Sequence, residues 1–299
     1  MPKKTSNNSS KKKKPPRFGL GKFLYYGFLI FLGFLGAVTY KELIKPADWN
    51  PVAFVAGNHH RPGRQVVVCA GDSLTRGQLS FDFCGYLNRQ ADLQNFQFVN
   101  AGVNGDLSYN LLQRLEPIVA CKPKFIVILI GTNDLLDSYY PKTAKYLKWA
   151  KQIPQSSSLD WYSKNLELII EILQQRTQAK IALLSLPILG EACSSAANQT
   201  ILQYNKVIRD IAIRKKVRYL PLYELQLEYL QKNQISPGPK FTGNLQPVLL
   251  AGLKHLVFKQ SLDLISEQNG YLLLTDGVHL NSRAGRMIAM QIKTFLKSK

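Results

Sequence analysis

Gln65-Val66-Val67-Val68-Cys69-Ala70-Gly71-Asp72-Ser73-Leu74 is a β-branched apolar run that stops abruptly at glycine, aspartate and serine. A run of this length without polar alternation suits a parallel strand covered on both faces, and ligands of such sheets bind beyond the carboxyl ends of the strands. Ser73 stands at that edge, either as a nucleophile or as the cap of a following helix. The stretch alone leaves both readings open.

The same pattern recurs along the chain. Residues 96–101 form a second apolar run ending in the glycine-rich turn Gly102-Val103-Asn104-Gly105-Asp106, and residues 125–130 form a third ending in Gly131-Thr132-Asn133-Asp134. Residues 180–186 and 217–222 supply a fourth and a fifth strand. Between them, helices are expected over 80–90, 109–120, 161–176 and 200–215, with a last one over 282–296. Alternating strands and helices imply right-handed crossovers, hence a three-layer α/β/α sandwich around a five-stranded parallel sheet.

With 299 residues and 45% hydrophobic content, the chain has room for one sizeable α/β domain plus attachments. Its net charge of +20 invites a nucleic-acid reading, yet seven of the basic residues lie within the first 17 positions, before any acidic one. No recurrent aromatic and basic motif of an RNA-binding module is visible, so a membrane or anionic polymer explains the charge with fewer assumptions. Cys69, Cys84, Cys121 and Cys193 include no Cys-x-x-Cys pair, which points to neither a zinc site nor a dense disulfide framework.

Residues 1–22 read as a basic, disordered cytoplasmic tail. Residues 23–40 carry no charge and, at 1.5 Å per residue, span roughly 27 Å as a helix, close to a bilayer core. The lysines ahead of this segment orient it with the amino terminus in the cytoplasm and the remainder outside, on the periplasmic side in a bacterium. A cleaved secretory signal and a buried core helix are the competing readings. Residues 41–64, with Pro46, Pro51, Pro62, Gly57 and Gly63, read as a linker, and His59 and His60 within it as solvated. The folded domain is expected over 65–299.

Acyl transfer by serine needs a nucleophile, a base, a group orienting that base, and donors aimed at the developing oxyanion. Ser73 is the candidate nucleophile, and Gly105 and Asn133 offer a backbone N–H and an amide as oxyanion donors. His279 is the candidate base, with Asp276 three residues earlier able to accept from its Nδ1–H. The ordered set Gly71-Asp72-Ser73-Leu74, Gly105-Asp106, Gly131-Thr132-Asn133-Asp134 and Asp276-x-x-His279 resembles the SGNH, or GDSL, hydrolase family. The resemblance covers about residues 65–299 and implies a flavodoxin-like sandwich with its site at the carboxyl edge of the strands. It implies a Ser73, Asp276, His279 triad, with the Ser73 N–H joining Gly105 and Asn133 in the oxyanion hole. No cofactor and no metal are implied. Asp72, Asp106 and Asp134 read as turn supports, and the Gly-x-Ser-x-Gly elbow of ordinary α/β-hydrolases is absent.

Two insertions depart from the pattern. Residues 138–159 are basic and aromatic, with Tyr139, Tyr140, Lys145, Lys148, Trp149 and Lys151, and are either a solvated segment or a flank of the site. Residues 224–274 include the apolar stretch Val248-Leu249-Leu250-Ala251-Gly252-Leu253, which is either a helix packed on the core or the wall of an acyl pocket. The expected function is a membrane-anchored, extracytoplasmic serine esterase acting on a lipid or an acylated glycan. An O-acyltransferase or deacetylase of envelope polysaccharide and a non-catalytic envelope scaffold are the alternatives.

Overall fold

The computed structural model describes residues 20–57 and 61–297. The basic tail up to residue 19, together with His59 and His60, lies outside the described residues. The chain begins with helix α1 (Leu20–Ile44), then a short α2 (Pro51–Val55) and strand β1 (Gln65–Gly71). There follow α3 (Ser73–Arg76), α4 (Phe83–Asn88), β2 (Phe96–Gly102), α5 (Ser108–Gln113), α6 (Leu115–Ala120) and β3 (Phe125–Leu129). After β3 come α7 (Thr132–Tyr139), α8 (Pro141–Lys151), α9 (Leu159–Arg176), β4 (Lys180–Leu184), α10 (Ala196–Arg214) and β5 (Arg218–Leu220). The chain ends with α11 (Leu222–Asn233), α12 (Gln246–Gly252), α13 (Leu262–Gln268) and α14 (Ser282–Lys297), with a π-helical turn at Leu253–Val257.

The five strands form one parallel sheet in the order β2-β1-β3-β4-β5. Val67, Val68, Cys69 and Ala70 are buried, as are Ile126, Val127 and Ile128 of β3, which is why these strands carry no polar alternation. The register aligns the strand ends, since Gly71 pairs with Gly102 of β2 and with Leu129 of β3. The polar turns that follow the three strands therefore open at one edge, where the chain reverses its direction of winding between β1 and β3.

β2 lies at the rim of the sheet, and three of the N–H groups that it turns away from β1 are bonded. Phe98 N donates to Asn88 Oδ1 at 2.9 Å, Asn100 N to Trp49 O at 2.8 Å, and Gly102 N to Asn100 Oδ1 at 3.0 Å. Trp49 belongs to the stretch expected as a linker, which is thus packed on the domain. Ala47 and Phe54 are buried there, and the Arg76 guanidinium donates to Lys45 O and Pro46 O.

Two helices differ from the sequence expectation. The helix expected over 80–90 shortens to α4, capped by Asp82, whose Oδ1 accepts from Gly85 N at 2.8 Å. The single helix expected over 109–120 is instead α5 and α6, broken at Arg114 (φ −125°, ψ 33°). Pro117 has no N–H to continue the helix and its ring excludes the carbonyl four residues back. The Arg114 side chain is drawn away to Asp106 Oδ2 at 2.7 Å, Ala101 O at 2.8 Å and Gly71 O at 2.9 Å.

Residues 23–40 fall within α1, and Phe23, Phe28, Ile30 and Phe34 are exposed on it. Among the described residues, no helix is long and apolar enough to cross a membrane. The expected span reaches residues 38–40, whose side chains lie outside the described residues. In the second insertion only Ala251 and Gly252 of α12 are buried, while Leu249, Leu250 and Phe258 face outward and wall no enclosed pocket. α1 lies against the π-helical turn that follows α12.

Candidate active site

Ser73 opens α3 directly beyond β1, and the capping role falls to its neighbour: Asp72 Oδ1 accepts from Leu74 N at 2.9 Å. The Ser73 hydroxyl is left to face His279 Nε2, with Oγ at 3.0 Å. Gly71 makes this turn possible, because a Cβ there would collide with Leu129 O and Thr75 Oγ1.

Asp276 and His279 lie in the loop between α13 and α14. Asp276 Oδ1 accepts from Val278 N at 2.9 Å and His279 N at 2.8 Å, and Thr275 N closes the turn on His279 O at 2.8 Å. With its proton on Nδ1, His279 donates to Asp276 Oδ2 at 2.7 Å and keeps Nε2 as the acceptor facing Ser73. Burial pulls the imidazole down, but the adjacent Asp276 carboxylate outweighs it and leaves His279 above its ordinary value. Burial likewise pushes Asp276 up, and the attraction of His279 with the hydrogen bonds it receives leaves the carboxyl below its ordinary value.

Gly105 and Asn133 reach this constellation through the neighbours of Ser73. Asn133, in the first turn of α7, donates through Nδ2 to Asp106 O at 3.0 Å and stands 3.5 Å from Asp72 Oδ2. One of its two amide hydrogens is thereby used on the turn that contains Gly105. Gly105 has φ +74°, and a Cβ on it would lie 2.9 Å from Lys151 Cε. The basic insertion therefore flanks the site: Leu147 of α8 is buried, and Lys151 reaches over Gly105 to Asp106 Oδ1 at 2.8 Å.

The three aspartates of the turns act as supports, as the sequence suggests. Asp106 is held between Arg114 and Lys151. Asp134 accepts from Ser108 N at 2.8 Å, and burial raises it to about 6. Burial raises Asp72 to about 7. Arg114 escaped the sequence reading because nothing local marks it, whereas Lys151 was named there only as one of a basic run, without its bond to Asp106. Among the described residues, no group of three or more His, Cys, Asp or Glu side chains is arranged to hold a metal ion.

A serine hydroxyl on an imidazole whose far nitrogen is bonded to a buried carboxylate can give up its proton as it attacks a carbonyl. The profile of the GDSL-like lipase/acylhydrolase family matches residues 69–239, which is more than half of the chain. The chain belongs to the GDSL-like lipase/acylhydrolase family. As a GDSL-like acylhydrolase it is a serine ester hydrolase. No curated protein matches it. Its fold is similar to that of the acetyl xylan esterase AlAXEase, at 19% identity and a TM-score of 0.55, over 77% of this chain and 99% of that one. It is also similar to Axe2, an acetylxylan esterase from Geobacillus stearothermophilus, at 17% identity and a TM-score of 0.55, over 80% of this chain and 98% of the other. A third similar structure is LAE5, an α/β hydrolase from the metagenome of Lake Arreo, Spain, at 16% identity and a TM-score of 0.53, over 77% and 94% of the two chains. Asp276 and His279 of this acylhydrolase lie beyond the matched residues, so their assignment rests on geometry.

Proposed function

We propose that Ser73 is the nucleophile of an acyl-serine mechanism, carried by one observation: the continuous chain Ser73 Oγ, His279 Nε2, His279 Nδ1, Asp276 Oδ2 at 3.0 and 2.7 Å. Oγ bonds to the ester carbon while its proton passes to Nε2, and Asp276 stabilises the imidazolium. The oxyanion is held by the N–H groups of Ser73 and Gly105 and by the second amide hydrogen of Asn133, which leaves its long 3.5 Å bond to Asp72 Oδ2. His279 then protonates the leaving alkoxide as its bond to carbon breaks. Water repeats the sequence on the acyl-enzyme and releases the acid. Ser73→Ala should abolish turnover of p-nitrophenyl acetate and labelling by a fluorophosphonate while circular dichroism is unchanged; a folded variant with wild-type turnover removes Ser73 from the mechanism.

The substrate reading is a short acyl ester on a carbohydrate. The solved neighbours named as acetyl xylan esterases support it. So does α8 beside Gly105, where Tyr146 and Trp149 expose aromatic faces suited to sugar rings, Trp149 at 79%. Faster release of acetate from an acetylated xylo-oligosaccharide than of octanoate from its nitrophenyl ester is the expected pattern. The reverse order favours a lipid ester. Attachment to a membrane through α1, with the hydrolase domain on the extracytoplasmic side, completes the proposal. Its support is the exposed apolar surface of α1 and the lysine-rich sequence ahead of it.

A further inference from the structure

The loop that carries Asp276 and His279 is held by two residues between β4 and α10, which follow the carboxyl end of β4. Glu191 is 0% exposed, and its carboxylate accepts from three successive backbone N–H groups. Oε2 accepts from Leu272 N at 2.8 Å, and Oε1 accepts from Leu273 N at 2.7 Å and Leu274 N at 3.0 Å. Its neighbour Gly190 donates its own N–H to Gly277 O at 2.8 Å. In sequence these two grips bracket Asp276.

The clamp is itself anchored. Glu191 N donates to Pro239 O at 2.8 Å, and Gln234 Nε2 donates to Glu191 O at 3.0 Å. Asn198 of α10 pins the same turn by donating to Leu189 O and Ala192 O, both at 3.1 Å. An adjoining cavity of about 480 Å³, lined by Glu191, Gln234, Pro239, Gly270 and Leu272 among others, includes none of Ser73, Asp276 and His279. Glu191 therefore acts on the reacting atoms through the loop backbone.

Burying a carboxylate is costly unless donors surround it, and three aligned N–H groups supply that compensation only to an anion with free lone pairs on both oxygens. A glutamine offers one oxygen and turns its NH₂ against a backbone N–H. We infer that Glu191 is a positioning residue for ester hydrolysis, holding Asp276 on His279 and His279 at bonding distance from Ser73. The inference rests on the acyl-serine reading above. A misplacement of about 1 Å at such a hydroxyl can lower a rate by roughly 10²-fold; Ser266 and Asn281 hold the carbonyls of Leu274 and Leu272, and Glu191 takes the three N–H groups.

The test uses the full chain with Glu191→Gln and Glu191→Asp. Four readouts are taken: kcat and KM on p-nitrophenyl acetate, the fluorophosphonate labelling rate, the far-downfield proton resonance of His279 Nδ1–H, and circular dichroism. For E191Q the expected result is a kcat lowered about 10-fold or more with KM nearly unchanged, since the interaction lost acts on the transition state. Labelling slows in parallel and the downfield resonance moves or broadens, while secondary structure persists. E191D, which keeps the anion but shortens its reach, falls between E191Q and the wild type. Wild-type kcat, labelling and resonance in folded E191Q overturn the inference, whatever the melting temperature does. If E191Q does not fold, the same three values measured in E191D decide. Absence of labelling in the wild type would refute the acyl-serine reading instead, and the resonance would still report on the clamp.

Discussion

Asp276 and His279 face each other across 2.7 Å, each holding the other in its charged form. The raised His279 contributes stability that is complete below its ordinary value of 6.5 and is lost as pH rises through its folded value. The lowered Asp276 contributes stability that is complete above its ordinary value of 3.8 and is lost as pH falls through its folded value. Both contributions are therefore whole between those two ordinary values. Catalysis follows the opposite branch, because the base must be neutral: kcat/KM should rise with pH on a limb centred above 6.5. Asp276→Asn leaves burial opposed only by the weaker attraction of Asp72, so that limb should move to lower pH while kcat falls by about 10⁴-fold, as read from a pH–rate profile. Asn133→Ala should lower kcat by roughly 10²–10³-fold with KM little changed, because it removes an amide donor to the oxyanion. All five residues of the site were legible because each sits where a strand or loop ends in an abrupt polar turn. Glu191 was not, since its partners lie 81 to 83 positions away and are backbone groups without side-chain identity.

At the scale of elements, α8 and the 102–106 turn form one unit. Gly105 occupies the left-handed region beneath the Lys151 stem, and the Lys151 ammonium closes on Asp106. Gly105→Ala adds about 1 kcal/mol of backbone strain and a steric conflict with Lys151. Lys151→Ala relieves only the second and leaves Arg114 on Asp106. The double variant should therefore be more stable than the sum of the single changes implies, by about 0.5 kcal/mol or more in a denaturation cycle. Strict additivity would mean that α8 does not bear on the turn. The existence of α9 and of the last helix was readable from periodicity. The break between α5 and α6 was not, because Arg114 leaves the helix for acceptors at the ends of β1 and β2. A period of apolar positions carries no record of such long-range bonds.

For the whole molecule, the parallel sheet follows from five apolar runs separated by helices, its order is that of the flavodoxin-like sandwich implied by the family resemblance, and the level strand ends follow from the register of β1 with its two neighbours. The packed state of the segment around Trp49 did not follow, since prolines and glycines mark a turn-rich stretch without telling whether it docks. Attachment through α1 predicts that the full chain stays in the membrane pellet after alkaline carbonate extraction and needs detergent for release. Recovery in the soluble fraction would remove the anchor from the proposal. Anchoring would crowd many copies into a plane, where an open sheet rim becomes a template for chain-to-chain polymerisation. Here that hazard is closed off on both flanks. From Phe98 onward the outer N–H groups of β2 are already taken by Asn88, Trp49 and Asn100, and β5, at the other rim, is only three residues long. A neighbouring copy finds no ladder to extend, so the hydrolase can be densely arrayed without being drawn into fibrils through its own sheet.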